Sequence, residues 1–146
     1  MREILFRGKR IDKTWIYGSL LKVTYDGNTY NLIFADNFLF VFGEAKAMEH
    51  ASVDPSTVGQ LTGLTDKNGK KIFEGDIGRY RQTDGAKRNG KPITCIGKVV
   101  YNVKTASFAV ESKDEAGCKY FDYFPTKDFE VIGNIHDNPE LMEVEK

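Results

Sequence analysis

A chain of 146 residues has the length of one domain and can bury roughly 68–70% of its unfolded surface. Its 40% hydrophobic and 12% aromatic content excludes a disordered chain, which has few aromatics and a large net charge. The 21 basic and 21 acidic residues cancel, against the basic excess of a dedicated nucleic-acid binder, and no apolar run approaches the roughly 18 residues of a membrane helix.

The start of the chain, with Arg2 and Glu3, lacks the apolar core of a secretory signal, so the cytoplasm is the expected compartment. Cys95 and Cys118 are then expected to be reduced and to serve as small apolar residues. Ile4 to Lys9 alternates weakly and reads as a strand. Asp12-Lys13-Thr14 turns the chain into a second strand, Trp15-Ile16-Tyr17, which Gly18 and Ser19 break. Leu20 to Tyr25 and Tyr30 to Ala35 are apolar runs joined at Asp26-Gly27-Asn28, a hairpin signature. Phe38-Leu39-Phe40-Val41-Phe42 is the most hydrophobic stretch and reads either as a strand buried on both faces or as an exposed assembly surface. Glu44 to His50 has helix-forming composition for a turn or two, and Pro55 prevents a long continuation.

Thr57 to Tyr80 organises the rest. Asp66, Lys67, Asn68 and Gly69 form a strong turn signal between strand-like runs, because Asp, Asn and Gly tolerate positive φ. Ile72 and Phe73 open the second arm, and Gly75, between Glu74 and Asp76, predicts a sharp bend before Ile77. Gln82 to Pro92 is polar and contains two glycines and a proline, the clearest loop in the chain. Strand character resumes from Ile93 to Tyr101 and, after Lys104-Thr105-Ala106, from Ser107 to Glu111. Lys119 to Phe124 is aromatic and strand-like, and Phe129 to Ile135 is a last strand interrupted by Gly133. Asn138 suits the cap of a short helix with Pro139 at its first position.

The run from Val53 to Ile77, VDPSTVGQLTGLTDKNGKKIFEGDI, resembles the signature of the YopX family of phage and prophage proteins. Met1 to Arg7 resembles the family's opening segment, and Val131 to Leu141, with Gly133-Asn134-Ile135-His136-Asp137-Asn138-Pro139, its closing one. The resemblance implies a mainly β fold, a phage or prophage origin in a bacterial host, and homo-oligomeric assembly. It implies no enzymatic activity, no cofactor and no catalytic residue.

The residues themselves agree with that silence about chemistry. Glu74 and Asp76 would share a strand face, yet no third ligand stands at metal-type spacing, and a turn role is the plainer reading. His50 and His136 fit no HExxH or CxxC pattern, and the adjacent pair His136-Asp137 would point in opposite directions on a strand. No GxSxG occurs, and Gly59 and Gly63 lack the lysine of a phosphate loop. Two candidate sites remain. Arg79, Arg81, Lys87, Arg88, Lys91 and Lys98 face only Asp84 in the sequence, so the basic loop could contact nucleic acid, with Tyr80 or Tyr101 stacking on bases; its alternative is a solvated loop guarding an edge strand. Phe38, Phe40 and Phe42 are the candidate protein interface. The expected architecture is mainly β, a barrel-like or pseudobarrel arrangement of short antiparallel strands with one or two short helices. It forms a single domain over 1–146 with two loose lobes, 1–52 and 53–142.

Overall fold

In the computed structural model, β1 (Phe6–Lys9) runs antiparallel to β2 (Trp15–Tyr25), with Phe6 opposite Gly18 and Lys9 opposite Trp15. The structure describes residues 3–35, 45–83, 92–113 and 128–143. The chain divides into two compact units, Met1–Leu61 and Thr62–Lys146. Among the described residues the fold is mainly β, built of antiparallel sheets with one short helix and two 3-10 turns, and no barrel closes.

In the first unit, Asp12 makes the β1–β2 turn by accepting the Thr14 N–H (2.9 Å) and hydroxyl (2.6 Å), while Lys13 takes a φ of 70°. β2 then runs unbroken through Gly18 and Ser19, where the sequence predicts two strands. A Cβ at residue 18 would collide with the Phe34 carbonyl, so this glycine allows the next strand to approach closely rather than ending its own. Asp26 and Gly27, with φ of 49° and 76°, form the two-residue loop of a I′-type hairpin into β3 (Asn28–Phe34), which pairs with β2 from Tyr25↔Asn28 to Ser19↔Phe34. The helix α1 (Ala45–Ala51) follows, at the length its composition suggests. Beyond it the Val53 N–H donates to Asn31 O (3.0 Å) and the Asp54 N–H to Lys9 O (2.8 Å), tying this crossing segment to both β3 and β1. Asp54 caps the turn Pro55–Thr57 by accepting the Ser56 N–H, and the Thr57 hydroxyl accepts the Lys9 N–H (2.8 Å). β4 (Gly59–Thr65) begins in this unit, where Gly59 and Gln60 pair with Arg7 and Phe6 of β1.

In the second unit the turn Asp66–Gly69 leads from β4 into β5 (Lys71–Phe73), as the residue types predict. Gly75 takes a φ of 84° and separates β5 from β6 (Asp76–Thr83), so the expected bend is a break between two strands. β6 is central in a four-stranded sheet, with β7 (Pro92–Asn102) and β8 (Ser107–Ser112) on one side and β9 (Glu130–Asn134) on the other. The core of this unit is Ile72, Tyr80, Cys95, Val99, Val110 and Phe129, packed with Leu64, Ile93 and Val131. Cys95 is disulfide-bonded, which corrects the expectation of a reduced thiol; Cys118 lies outside the described residues. The Pro139–Met142 turn is present, but Asn138 makes no side-chain cap; its amide oxygen instead sits over Gly133, 2.6 Å from where a Cβ would stand.

Candidate functional site

Phe38, Phe40 and Phe42 lie outside the described residues, as do Lys87, Arg88 and Lys91. Of the basic loop's sequence-predicted contacts, Arg79 and Arg81 are on β6. Residues two apart on a strand share a face, so Ile77, Arg79 and Arg81 stand together, with Lys98, Ile96 and Thr94 opposite them on β7. Register on the other side brings Glu130 of β9 directly opposite Arg79. The Glu130 carboxylate accepts from Arg79 Nη2 at 3.0 Å and from Lys67 Nζ at 2.7 Å. Hydrogen bonds from Lys67 and then Arg79 hold the Glu130 carboxyl below its ordinary value of 4.5, against a smaller opposing effect of burial. On the same face Lys98 is paired with Glu111 of β8 at 3.2 Å.

Two of the six cations of that lopsided stretch are thereby paired in space. Arg79 and Lys98, which bound a stretch whose one acid is Asp84, each meet a glutamate from another strand. Arg81 is exposed and forms no ion pair among the described residues. Around it lies a polar cleft of about 510 Å³ lined by Lys67, Arg79, Tyr80, Arg81, Thr94, Asp128 and Glu130. Its lining carries three cations and two carboxylates, a balance that weakens phosphate attraction but leaves Arg81 available to an anion. Tyr80 does not offer a stacking face: it is buried, its ring packed at 6.2 Å from Phe129, and burial raises its phenol above 10.0. Tyr101 is more exposed, though its ring lies edge-on to Phe108 at 5.4 Å.

The acids near Gly75 have structural partners. Asp76 is buried, and its carboxylate accepts the Phe73 N–H at 2.8 Å, holding the turn between β5 and β6. Asp66 is buried too: Oδ1 accepts the N–H groups of Asn68 (2.8 Å) and Lys70 (2.9 Å), and Oδ2 that of Val131 (3.1 Å). Burial alone would raise the Asp66 carboxyl, but the Lys70, Val131 and Asn68 donors outweigh it and hold the group below 3.8. His136 lies in a turn fastened by Asn134, whose side-chain oxygen accepts the N–H groups of His136 and Asp137 at 3.0 Å each. Among the described residues no three His, Cys, Asp or Glu side chains stand close enough to hold a metal ion, and no helix is long and apolar enough to cross a membrane.

One surface escaped the sequence reading. Tyr17, Leu21 and Tyr25 lie four apart on one face of β2, with Ser19 and Val23 between them, and are 46%, 41% and 71% exposed; Tyr30, 37% exposed, lies opposite Val23 on the same face. Splitting the strand at Gly18 hid this row, since period-two alternation shows only when Trp15 to Tyr25 is read as one element.

Fold and site together define a small β protein in which Asp66 and Asp76 serve turns and Glu111 and Glu130 serve cross-strand pairs. The chain belongs to the YopX family: the family model, described as YopX protein, matches residues 5–143. Protein EF1440 from Enterococcus faecalis, known from a crystal structure, is similar at 23% identity over 98% of this chain and 100% of that one, with a TM-score of 0.49, too low to refine the fold description. No curated protein matches.

Proposed function

We propose that this chain is a non-enzymatic assembly module of phage or prophage origin that forms homo-oligomers and engages a phage or host protein. The observation that supports it is the exposed row Tyr17, Leu21 and Tyr25 with Tyr30 beside it on the β2–β3 hairpin. Contiguous exposed apolar side chains on a sheet face mark an interaction surface. A second copy is the occupant this row suits, because a chain with 21 basic and 21 acidic residues meets no net repulsion from itself. The test is mass in solution by light scattering for the wild type and for the Leu21→Lys and Tyr25→Lys variants. Both side chains are solvent-facing, so the substitutions leave the fold intact and are expected to lower the oligomer number. A wild type that is monomeric at every concentration overturns the reading; variants that keep the wild-type mass move the contact off this face.

A second reading, a nucleic-acid-binding accessory role for the loop 79–98, is supported by the exposed Arg81 and by Lys87, Arg88 and Lys91 nearby in sequence. It predicts oligonucleotide binding that weakens with salt and with Arg81→Ala, Lys87→Ala and Arg88→Ala together. Binding indifferent to both would remove it.

A further inference from the structure

The first unit contains a cleft of about 540 Å³ that shares only Tyr30 with the row of the assembly reading. Its apolar walls come from Ile11, Tyr30, Leu32, Met48 and Val53, that is, from the β1–β2 turn, β3, α1 and the crossing segment after α1. Arg10 and Lys13 line it as well. The turn that carries these two cations is closed by the Arg10 N–H on Thr14 O (2.9 Å) and the Lys13 N–H on Arg10 O (3.0 Å), so both are presented from a fixed backbone. Arg10 Nε is buried and has no hydrogen-bond partner among the described residues. A buried guanidinium N–H left unsatisfied is costly, and Arg10, which also lines the cleft, gains if its side chain turns to meet an acceptor there.

The acids nearby do not hydrogen-bond it, although the Asp12 carboxylate is close enough to Arg10 to feel its charge. Asp12 gives its carboxylate to the Thr14 N–H and hydroxyl, and Asp54 gives its own to the Ser56 N–H (2.9 Å) and hydroxyl (2.7 Å). Glu49, the remaining acid of the lining, is exposed on α1. A volume in the range of small-molecule sites, apolar walls and a few charged side chains, here Arg10 and Lys13 with Glu49 and Asp54, are the features of a ligand pocket. We infer that this cleft binds a small amphipathic carboxylate, its apolar body against Tyr30, Leu32, Met48 and Val53 and its carboxylate on the Arg10 guanidinium with Lys13 adding charge. Guanidinium and carboxylate match in geometry, which makes Arg10 the selecting group and Lys13 an auxiliary one.

The test uses octanoate, 1-octanol and octylamine as probes and the full chain labelled with ¹³C at the methionine methyls. With only three methionines, the Met48 methyl is a resolved reporter inside the cleft. Octanoate is expected to shift the Met48 signal saturably and to bind roughly tenfold more tightly than octanol, the margin of one charge-assisted hydrogen bond, with octylamine weakest. Arg10→Met is expected to bring octanoate down to the octanol affinity and leave octanol unchanged. If that variant does not fold, Ile11→Glu decides, because Ile11 is 91% exposed and a carboxylate there repels octanoate without touching the core. A Met48 signal that no probe moves at millimolar concentration overturns the site. Equal binding of octanoate and octanol, or octanoate binding insensitive to both variants, overturns the assignment of an anionic ligand.

Discussion

Asp66 shows how much a single side chain of this family block can hold. Its two carboxylate oxygens accept the N–H groups of Asn68, Lys70 and Val131, so one residue shapes the turn after β4 and also fastens β9. Asp66→Asn keeps an oxygen for the local turn but presents an amide to the Val131 N–H, leaving a buried donor facing a donor. The expected cost is about 1–3 kcal/mol in urea denaturation at neutral pH. The pH dependence follows from the direction of the shift. The folded pKa lies below the ordinary 3.8, so the stabilising contribution is complete above 3.8 and is lost as pH falls through the folded value. The gap between wild type and Asp66→Asn should therefore hold steady at neutral and mildly acidic pH and close in strong acid. A gap that persists there would show that the shape of the side chain matters and its charge does not. The residue types around Asp66 announced the turn; the reach to Val131, 65 positions on, has no local sequence signal.

At the scale of elements, the strands and tight turns were legible because their signals are local. Asp26-Gly27, the Asp66–Gly69 turn and the β7–β8 hairpin all stand where residue types place them. What stayed hidden depends on register between distant strands. Glu130 opposite Arg79 and Glu111 opposite Lys98 give two cations of the basic stretch cross-strand partners, and no spacing in the chain announces either. Gly78 carries the same lesson for packing. It sits opposite Gly97, and a Cβ at residue 78 would stand inside the Phe129 ring, so Gly78 is the space into which that buried ring fits. Gly78→Ala should destabilise by about 1–3 kcal/mol or more, the cost of overpacking a filled core. Phe129→Ala alone should cost about 3–5 kcal/mol. Because the two changes share one clash, their costs should combine to less than their sum, and denaturant midpoints of the two single variants and the double variant read this directly. Strict additivity would mean that Gly78 and Phe129 do not meet in solution.

For the molecule as a whole, zero net charge and local pairing make the same statement about what holds copies together. With 21 cations against 21 acids and a pI near 6.7, two copies at neutral pH have almost no net charge to repel or attract. The pairs of Glu130 with Lys67 and Arg79, and of Lys98 with Glu111, also neutralise charge within each chain, so little is left to build a strong ionic contact from these groups. If association runs through the apolar row of β2, its strength at neutral pH should hardly change when the Debye length drops from about 10 Å at 0.1 M salt to about 3 Å at 1 M. Raising the pH by about two units makes every copy negative, so association should weaken at low salt and recover when salt is added, since only the monopole repulsion is being screened. Sedimentation or light scattering over that grid of salt and pH separates the two cases. Salt that dissolves the oligomer at neutral pH would place ionic contacts at its interface and direct attention to Arg81 and its neighbours. Salt indifference at neutral pH together with salt recovery at high pH leaves the tyrosine and leucine side chains of the β2 face as the source of cohesion.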